Sequence, residues 1–184
     1  VFDYDKNKNY RICITQSNEL FMFDAKGSFV NGFKYKKQDQ IITSPKHFRI
    51  QNKDLIVFKT KDKFNIINRR GDMRIKLKSE IKFSNDDIYS YKNNLISTSK
   101  NNEIIKIDLK GNINKIKEDN SNKIFIVSND DFIFYLKNNS IKTQKNKIDL
   151  EFGKYSNLVL YDNKKNIFIS LYNEQSNKLY LFDE

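Results

Sequence analysis

The sequence predicts an all-β protein built from a repeated unit of four antiparallel strands. Apolar residues alternate with polar ones or form short runs rich in Ile, Val, Phe and Tyr, and clusters of Asn, Asp, Lys and Ser separate the runs. Five segments also align on a small polar residue that opens an apolar run, at spacings of 44, 40, 37 and 38 residues: Asn18, Asp62, Asn102, Asn139 and Asn177. A period near 40 residues made of strands and turns is typical of a β-propeller blade.

Positions at fixed distances from these anchors support the alignment. Two residues after each anchor the chain is apolar, at Leu20, Phe64, Ile104, Ile141 and Leu179. Six residues after it stand Asp24, Asn68, Asp108 and Asp183, with Lys145 in the fourth copy. Nine residues after it, the first three copies have Gly27, Gly71 and Gly111. An Asp or Asn that accepts backbone hydrogen bonds, followed by a Gly with positive φ, predicts a hairpin turn and not a calcium loop, which needs more oxygen ligands.

Each period accommodates four predicted strands, which divides the chain into five blades. The blades span residues 1–37, 44–79, 86–119, 122–153 and 155–184, and the last one lacks its fourth strand. The second copy is the clearest, with strands at His47–Ile50, Leu55–Phe58, Phe64–Asn68 and Met73–Leu77. In the first copy the fourth strand is predicted at Phe29–Lys34. We expect the chain to be part of a larger propeller of about seven or eight blades.

The period and the turn pattern make the chain resemble WD40-like and quinoprotein-like β-propeller repeats, over essentially its whole length. The stretch from Pro45 to Ile50, followed by Asn68-Arg69-Arg70-Gly71, is similar to poorly characterised bacterial propeller proteins. No subfamily signature is present, because a chain without Trp has neither the Trp-Asp blade ending nor the tryptophan-docking motif. The resemblance implies a propeller fold and leaves the activity open.

Composition limits the classes of partner. A net charge of +11 and a pI near 9.5 favour anionic partners, without choosing between nucleic acid, lipid headgroups and acidic protein. The sequence contains no apolar window long enough for a membrane span. The single cysteine, Cys13, excludes an internal disulfide and is expected to be a buried structural thiol. The compartment stays open, with the bacterial cell envelope or periplasm slightly favoured over the cytoplasm.

Basic residues form the most suggestive pattern. In a propeller, the turns that join the first strand to the second and the third strand to the fourth lie on one face. Basic residues outnumber acidic ones in these turns, which predicts an anion-binding face made of Lys26, Arg69, Arg70, Lys110, Lys145, Lys164 and Lys165. The alternative interpretation is that these side chains only solubilise the protein and protect strand edges.

No catalytic constellation is recognisable in the sequence. It has no phosphate-binding glycine loop, and His47 has no second histidine to pair with. The adjacent carboxylates Asp86-Asp87 and Asp130-Asp131 fall in predicted loops or at strand starts, which favours solvated side chains. We therefore expect no catalytic residues, no cofactor and no metal.

The predicted function is a non-catalytic protein-interaction scaffold. Its partner is expected to be a protein, bound through the basic face where that partner, or a lipid surface, is anionic. Two alternatives remain open: a propeller hydrolase or lyase whose catalytic residues lie outside this sequence, and a propeller that binds nucleic acid. Fold class alone does not decide between them.

Overall fold

The computed structural model describes residues 1–35, 39–116, 124–143 and 146–183. Over these ranges the protein is all-β, with five antiparallel sheets of three or four strands, a single 3₁₀ turn at Tyr4–Lys6 and no α-helix. The strands are β1 (Phe2–Asp3), β2 (Tyr10–Gln16), β3 (Glu19–Asp24), β4 (Lys46–Ile50), β5 (Lys53–Lys59), β6 (Phe64–Ile67), β7 (Met73–Ile75), β8 (Tyr89–Tyr91), β9 (Asn94–Thr98), β10 (Ile104–Ile107), β11 (Ile113–Ile116), β12 (Ile124–Ser128), β13 (Ile133–Lys137), β14 (Ser140–Lys142), β15 (Lys147–Asp149), β16 (Tyr155–Asp162), β17 (Ile167–Asn173) and β18 (Lys178–Asp183).

Each sheet is a meander of consecutive strands. Sheet 1 contains β1–β3, sheet 2 contains β4–β7, sheet 3 contains β8–β11, sheet 4 contains β12–β15, and sheet 5 contains β16–β18. Every sheet therefore falls within one predicted repeat, which confirms the all-β class and the antiparallel repeat unit. Each sheet is open in the described part of the chain and keeps two edge strands.

The first repeat differs from its prediction. The expected fourth strand at Phe29–Lys34 is reduced to an isolated bridge between Phe23 and Phe29 and a 2.9 Å hydrogen bond from the Val30 N–H to the Met22 carbonyl. The chain turns away at Gly32, whose φ of +82° is favourable only for glycine. The prediction of a full strand was wrong here because the apolar pattern of the segment outweighed its Asn31-Gly32 turn signal.

The Asp/Asn-x-x-Gly turns form as predicted in the first three repeats. The Asp24 carboxylate accepts hydrogen bonds of 2.9 Å from the N–H groups of Lys26 and Ser28. The side chains of Asn68 and Asp108 accept equivalent bonds in their own turns. The glycine that follows each of them has a φ between +79° and +92°. Side-chain oxygens that saturate these backbone donors explain the turn without any metal.

A second turn type joins other strands by two residues with positive φ. Ser17-Asn18 links β2 to β3, Gln51-Asn52 links β4 to β5, and Lys92-Asn93 links β8 to β9, with φ values between +43° and +65°. Positive φ at both positions is the signature of the type I′ hairpin turn. Asparagine tolerates this conformation better than most residues, so the chain forms these turns with few glycines.

The chain divides into two compact units. Unit 1 comprises Val1–Ile88 and Ile107–Asn114, and unit 2 comprises Tyr89–Lys106 and Lys115–Glu184. In unit 1, sheets 1 and 2 pack face to face through Leu20, Met22, Ile56 and Phe58. The Cys13 thiol packs against this core, and burial raises its pKa to about 12, so that the thiol stays protonated at neutral pH.

In unit 2, sheet 4 is covered on both faces. Phe134 and Leu136 pack with Ile169 and Leu171 of sheet 5. On the opposite face, a cluster joins sheet 4 to sheet 3 through Tyr91, Ile96, Ile104, Ile126 and Ile133. The first strands also adjoin, because β12 contacts both β8 and β16.

Sheets 1 and 5 each leave one face in solvent. The exposed apolar side chains on sheet 1 are Tyr10, Ile12 and Ile14, and those on sheet 5 are Val159, Tyr161, Leu179 and Leu181. In contrast, Leu55–Phe58 of sheet 2 are completely buried, with both alternating sets of side chains inside. A strand that is buried on both faces reads as a continuous apolar run, whereas a strand buried on one face alternates.

Candidate anion-binding cleft

A cleft of about 630 Å³ opens on unit 1. Three segments that are distant in sequence form its walls: the connection from β1 to β2, the segment after β3, and the turn between β6 and β7. Tyr4 and Met22 are the buried lining residues. The other lining residues are Asn7, Asn9, Arg11, Val30, Asn31, Gly32, Arg69 and Arg70.

The Asn68–Asp72 turn presents two consecutive arginines to this cleft. The Asn68 side-chain oxygen accepts hydrogen bonds from the N–H groups of Arg70 at 2.7 Å and Asp72 at 3.2 Å. Gly71 then reverses the chain with a φ of +92°. The turn is closed by its own hydrogen bonds, so the side chains of Arg69 and Arg70 are exposed at its tip.

This turn is docked onto the previous repeat through its backbone. The Lys34 N–H donates a 2.8 Å hydrogen bond to the Arg70 carbonyl. A Cβ atom on Gly71 would lie 2.4 Å from the Lys34 carbonyl oxygen, so only glycine permits this approach. Gly111 repeats the arrangement one repeat later, where an added Cβ would lie 2.1 Å from the Lys76 carbonyl oxygen and the Lys78 N–H bonds the Gly111 carbonyl.

Tyr4 holds the floor of the cleft. Its hydroxyl lies 3.2 Å from the Asp54 carbonyl, to which it donates, and 3.2 Å from the Arg69 N–H, from which it accepts. The Arg74 guanidinium is a further donor to this oxygen at 3.3 Å. Tyr4 is 7% exposed, so its hydroxyl replaces water for two backbone groups of the second repeat.

The lining is strongly positive. Three guanidinium groups, of Arg11, Arg69 and Arg70, line the cleft, and none of its described lining residues is acidic. Within the described ranges, the Arg70 side chain has no hydrogen-bond or ion-pair partner. Guanidinium groups present paired donors that match carboxylate, sulfate and phosphate oxygens.

One carboxylate lies close to this group without lining it. Asp24 stands opposite Arg11 in the β2–β3 pair. The Ser28 N–H lowers the pKa of Asp24 most, and the charge of Arg11 contributes further. The Asp24 carboxylate accepts both turn bonds on one oxygen and keeps its negative charge, which partly offsets the charge of Arg11.

Three asparagines complete the polar walls. The Asn7 side-chain oxygen accepts a 3.0 Å hydrogen bond from the Asn9 N–H, which shapes the β1–β2 connection. The carboxamides of Asn9 and Asn31 make no hydrogen bond to the described part of the chain, and both residues are exposed. Each carboxamide therefore offers solvent both donors and an acceptor.

The structure brings together only part of the predicted basic face. Arg69 and Arg70 line the cleft, whereas Lys26 and Lys110 are exposed in other turns of unit 1 and do not line it. Lys164 and Lys165 are exposed in the β16–β17 turn of unit 2. Lys145 lies outside the described residues.

Sequence reasoning missed Arg11 and the asparagines. Arg11 is the second residue of β2 and lies 58 residues before Arg69, so no local pattern connects the two. The Tyr4–Asn9 turn carried a usable signal, because the chain nearly repeats it at Tyr161–Asn166. That likeness supports the register of the repeats but does not indicate that Arg11 and Arg69 line one cleft.

His47 belongs to a structural network next to the cleft. Its Nε2 lies 2.8 Å from an Asp54 oxygen, and Arg49 holds both oxygens of the same carboxylate at 2.7 Å. The His47 ring stacks on Phe2 with centroids 4.8 Å apart. With Asp54 only 6% exposed and bound by Arg49, these contacts hold His47 in the fold.

Lys59 is an unexpected buried cation in unit 1. Its side chain is completely buried, and its Nζ donates hydrogen bonds to the carbonyl oxygens of Ser84 at 2.9 Å and of Asp86. Burial lowers the Lys59 pKa to about 8, against the opposing charges of Asp86 and Asp87. The amine fastens the loop before β8 to sheet 2.

The adjacent carboxylates form no joint site. Asp87 is paired with Lys46 at 2.7 Å, and Asp130 and Asp131 are exposed in the β12–β13 turn. Among the described residues, His, Cys, Asp and Glu side chains do not gather in threes to hold a metal ion. The same residues include no helix with the length and hydrophobicity to cross a membrane.

No protein-family model matches the sequence, and no curated protein matches it either.

Proposed function

We propose that the chain is a non-catalytic binding module with propeller-type blades, and that it binds an anionic partner through the cleft of Arg11, Arg69 and Arg70. The observation that carries the proposal is the set of three guanidinium groups in a cleft whose described lining contains no carboxylate. An Arg-rich, acid-free concavity attracts anions and binds them by charge-assisted hydrogen bonds.

The propeller arrangement is supported within each unit separately. In unit 2, successive sheets pack face to face and their first strands adjoin, as wedge-shaped blades do around an axis. In unit 1, the Arg49 side chain reaches the Asp3 carbonyl at 3.4 Å, which joins the first strands of sheets 1 and 2. The docking of Gly71 and Gly111 onto the preceding repeat recurs at the same position in both copies. We keep the WD40-like or quinoprotein-like blade as the prediction for each repeat.

A binding role agrees with the chemistry of unit 1. Asp54 is committed to Arg49 and His47, and Lys59 is committed to backbone carbonyls. The buried ionisable side chains of Asp54 and Lys59 are thus engaged in holding the fold. The exposed arginines of the cleft face solvent, and turns of a rigid sheet scaffold suit recognition.

The direct test is an amide NMR titration of the isotope-labelled protein with sodium sulfate at constant ionic strength. We expect saturable shifts at Arg11, Asn31, Arg69 and Arg70, and none in the β16–β17 turn. The double variant Arg69→Gln with Arg70→Gln should lose the saturable shifts. The matched control is Lys164→Gln with Lys165→Gln, which removes the same charge from an exposed turn of unit 2 and should leave the shifts unchanged.

Two results would overturn the proposal. Sulfate shifts of equal size at Lys164, Lys165 and the cleft would mean diffuse counter-ion attraction to a basic protein. Retention of saturable binding by the Arg69→Gln, Arg70→Gln variant would mean that the cleft is not the site. Both outcomes can be read without knowing the natural partner.

A further inference from the structure

We infer that the anionic group recognised by the cleft is carried on a carbohydrate, that is, an oligosaccharide bearing carboxylate or sulfate groups. The inference rests on the proposed function and deepens it by naming the class of ligand. The uncharged part of the lining supports it, because the binding of an anion alone does not require uncharged groups.

The lining mixes hydrogen-bond donors with acceptors. A site for bare phosphate or sulfate needs donors alone, because every ligand oxygen is an acceptor. The carboxamides of Asn9 and Asn31 add acceptor oxygens that such a ligand cannot use and that have no donor in the described part of the chain. Hydroxyl groups satisfy them, since a hydroxyl both donates and accepts. Guanidinium and carboxamide groups together therefore match a ligand that carries anionic groups and hydroxyls.

The lining also has an apolar part. Val30 is half-buried and lines the cleft among the polar walls, whereas Met22 is only 3% exposed and adds little surface. A sugar ring presents a C–H surface as well as its hydroxyls, so it can cover the exposed part of Val30 while its rim is hydrogen-bonded. The volume of about 630 Å³ lies within the range of small-ligand sites.

The lining suits a sugar better than a nucleic acid. Binding of single strands depends on aromatic side chains that stack on the bases. Tyr4 is the one aromatic residue of the described lining, and it is buried with its hydroxyl bound to Asp54 and Arg69. The cleft thus offers guanidinium groups for charge but no exposed ring for a base.

The experiment is isothermal titration of the full chain with four probes at one salt concentration. The probes are tetragalacturonate, a sulfated tetrasaccharide from heparin, hexaglutamate and a short oligothymidylate. We expect one or both saccharides to bind at least about tenfold more tightly than the other two probes, and the two saccharides to distinguish carboxylate from sulfate. Neutral maltotetraose should not bind measurably, because the charge-assisted bonds supply most of the affinity.

Two single substitutions divide the contributions of charge and hydroxyl recognition. Arg70→Gln should weaken the saccharide and inorganic sulfate alike, by roughly tenfold or more, because it removes a charged donor. Asn9→Ala should weaken the saccharide several-fold and leave sulfate affinity unchanged. Its matched control is Asn166→Ala, the corresponding exposed position of the Tyr161–Asn166 turn, which should change neither.

The outcomes separate this inference from the proposed function. If hexaglutamate or oligothymidylate binds as tightly as the saccharides, or if Asn9→Ala leaves saccharide affinity unchanged, the carbohydrate assignment is wrong while the anion-binding cleft stands. If neither saccharide nor sulfate binds in an Arg70-dependent way, both fail. A circular-dichroism melt of each variant establishes that it is folded before it is titrated.

Discussion

The Tyr4 hydroxyl accepts a 3.2 Å hydrogen bond from the backbone N–H of Arg69, across 65 residues of sequence. The same hydroxyl donates to the Asp54 carbonyl, so one side chain of the first repeat satisfies two backbone groups of the second. The turn that carries two of the three cleft arginines is thereby held against the wall that carries the third. Cleft geometry and fold stability consequently depend on the same contact.

Replacing Tyr4 by Phe tests this dependence. The change keeps the ring but leaves the Asp54 carbonyl and the Arg69 N–H without this partner, so we expect the free energy of unfolding to fall by about 1–3 kcal/mol. Sulfate affinity at the cleft should fall as well, since Arg69 loses its anchor. Urea denaturation and the NMR titration measure the two effects. Tyr10→Phe, at a residue that is 50% exposed, is the control; equal stability of the two variants would contradict the role of the Tyr4 hydroxyl.

Replacing the turn glycines by alanine, one at a time, should distinguish the cost of backbone strain from the cost of steric overlap; the three positions are Gly27, Gly71 and Gly111. All three glycines have positive φ, which costs an alanine about 1–2 kcal/mol. Gly27 has open space around it, so Gly27→Ala should cost only that strain. At Gly71 and Gly111 the added Cβ also meets a carbonyl oxygen of the preceding repeat, which adds about 1–3 kcal/mol by overpacking. Three equal losses in thermal or urea denaturation would refute the docking of these turns.

The pH dependence of stability should reveal the buried amine of Lys59. Its pKa is about 8 in the folded protein and 10.5 in the unfolded chain. Between these values the unfolded chain binds more protons, so raising the pH stabilises the fold, with a slope approaching about 1.4 kcal/mol per pH unit. The measurement is the unfolding free energy of the native protein minus that of Lys59→Met, from about pH 6 to 10. This difference should be flat at the acid end and rise above about pH 8; a flat difference throughout would disprove the lowered pKa.

The acid side of the profile should depend on the turn carboxylates. The Asn112 side chain lowers the Asp108 pKa, with help from backbone N–H groups of the turn. The resulting stabilisation is present above the unfolded pKa and is lost as the pH falls through the folded pKa. Asp108→Ala should therefore destabilise the protein more at neutral pH than in acid. Asn68 occupies the equivalent position without a charge of its own and donates a 3.3 Å hydrogen bond to the Asp72 carboxylate, so thermal melts of Asn68→Ala should show a loss that varies less with pH.

The strand pattern and the turns were predictable because both are local. Leu55–Phe58 and Phe64–Ile67 are apolar runs with turn residues between them, and the Asp/Asn-x-x-Gly spacing determined the hairpin closures. The segment Phe29–Lys34 misled for the same reason, because its apolar residues suggested a strand that Gly32 interrupts. Local patterning predicts the secondary structure but not the contacts between repeats.

The cleft could be predicted only in part, because its geometry depends on contacts between repeats. Arg69 and Arg70 stood out as adjacent charges in a turn. Arg11 did not stand out in the sequence. It lies near Arg69 and Arg70 because the Tyr4 hydroxyl and the close approach of Gly71 to Lys34 hold the first and second repeats together. Lys59 at the end of an apolar strand was visible in the sequence, but its acceptors lie 25 and 27 residues later in a loop with no recognisable pattern.

The Asn31-Gly32 sequence in the wall of the cleft makes the protein prone to deamidation during storage. Both residues are exposed, and an asparagine before glycine is the sequence in which the backbone nitrogen most readily attacks the side-chain amide and expels ammonia. Hydrolysis of the resulting ring leaves aspartate or isoaspartate, which places a negative charge beside three guanidinium groups. In an aged preparation the new carboxylate would partly neutralise the cleft arginines. The intact mass of each batch should therefore be measured together with its affinities.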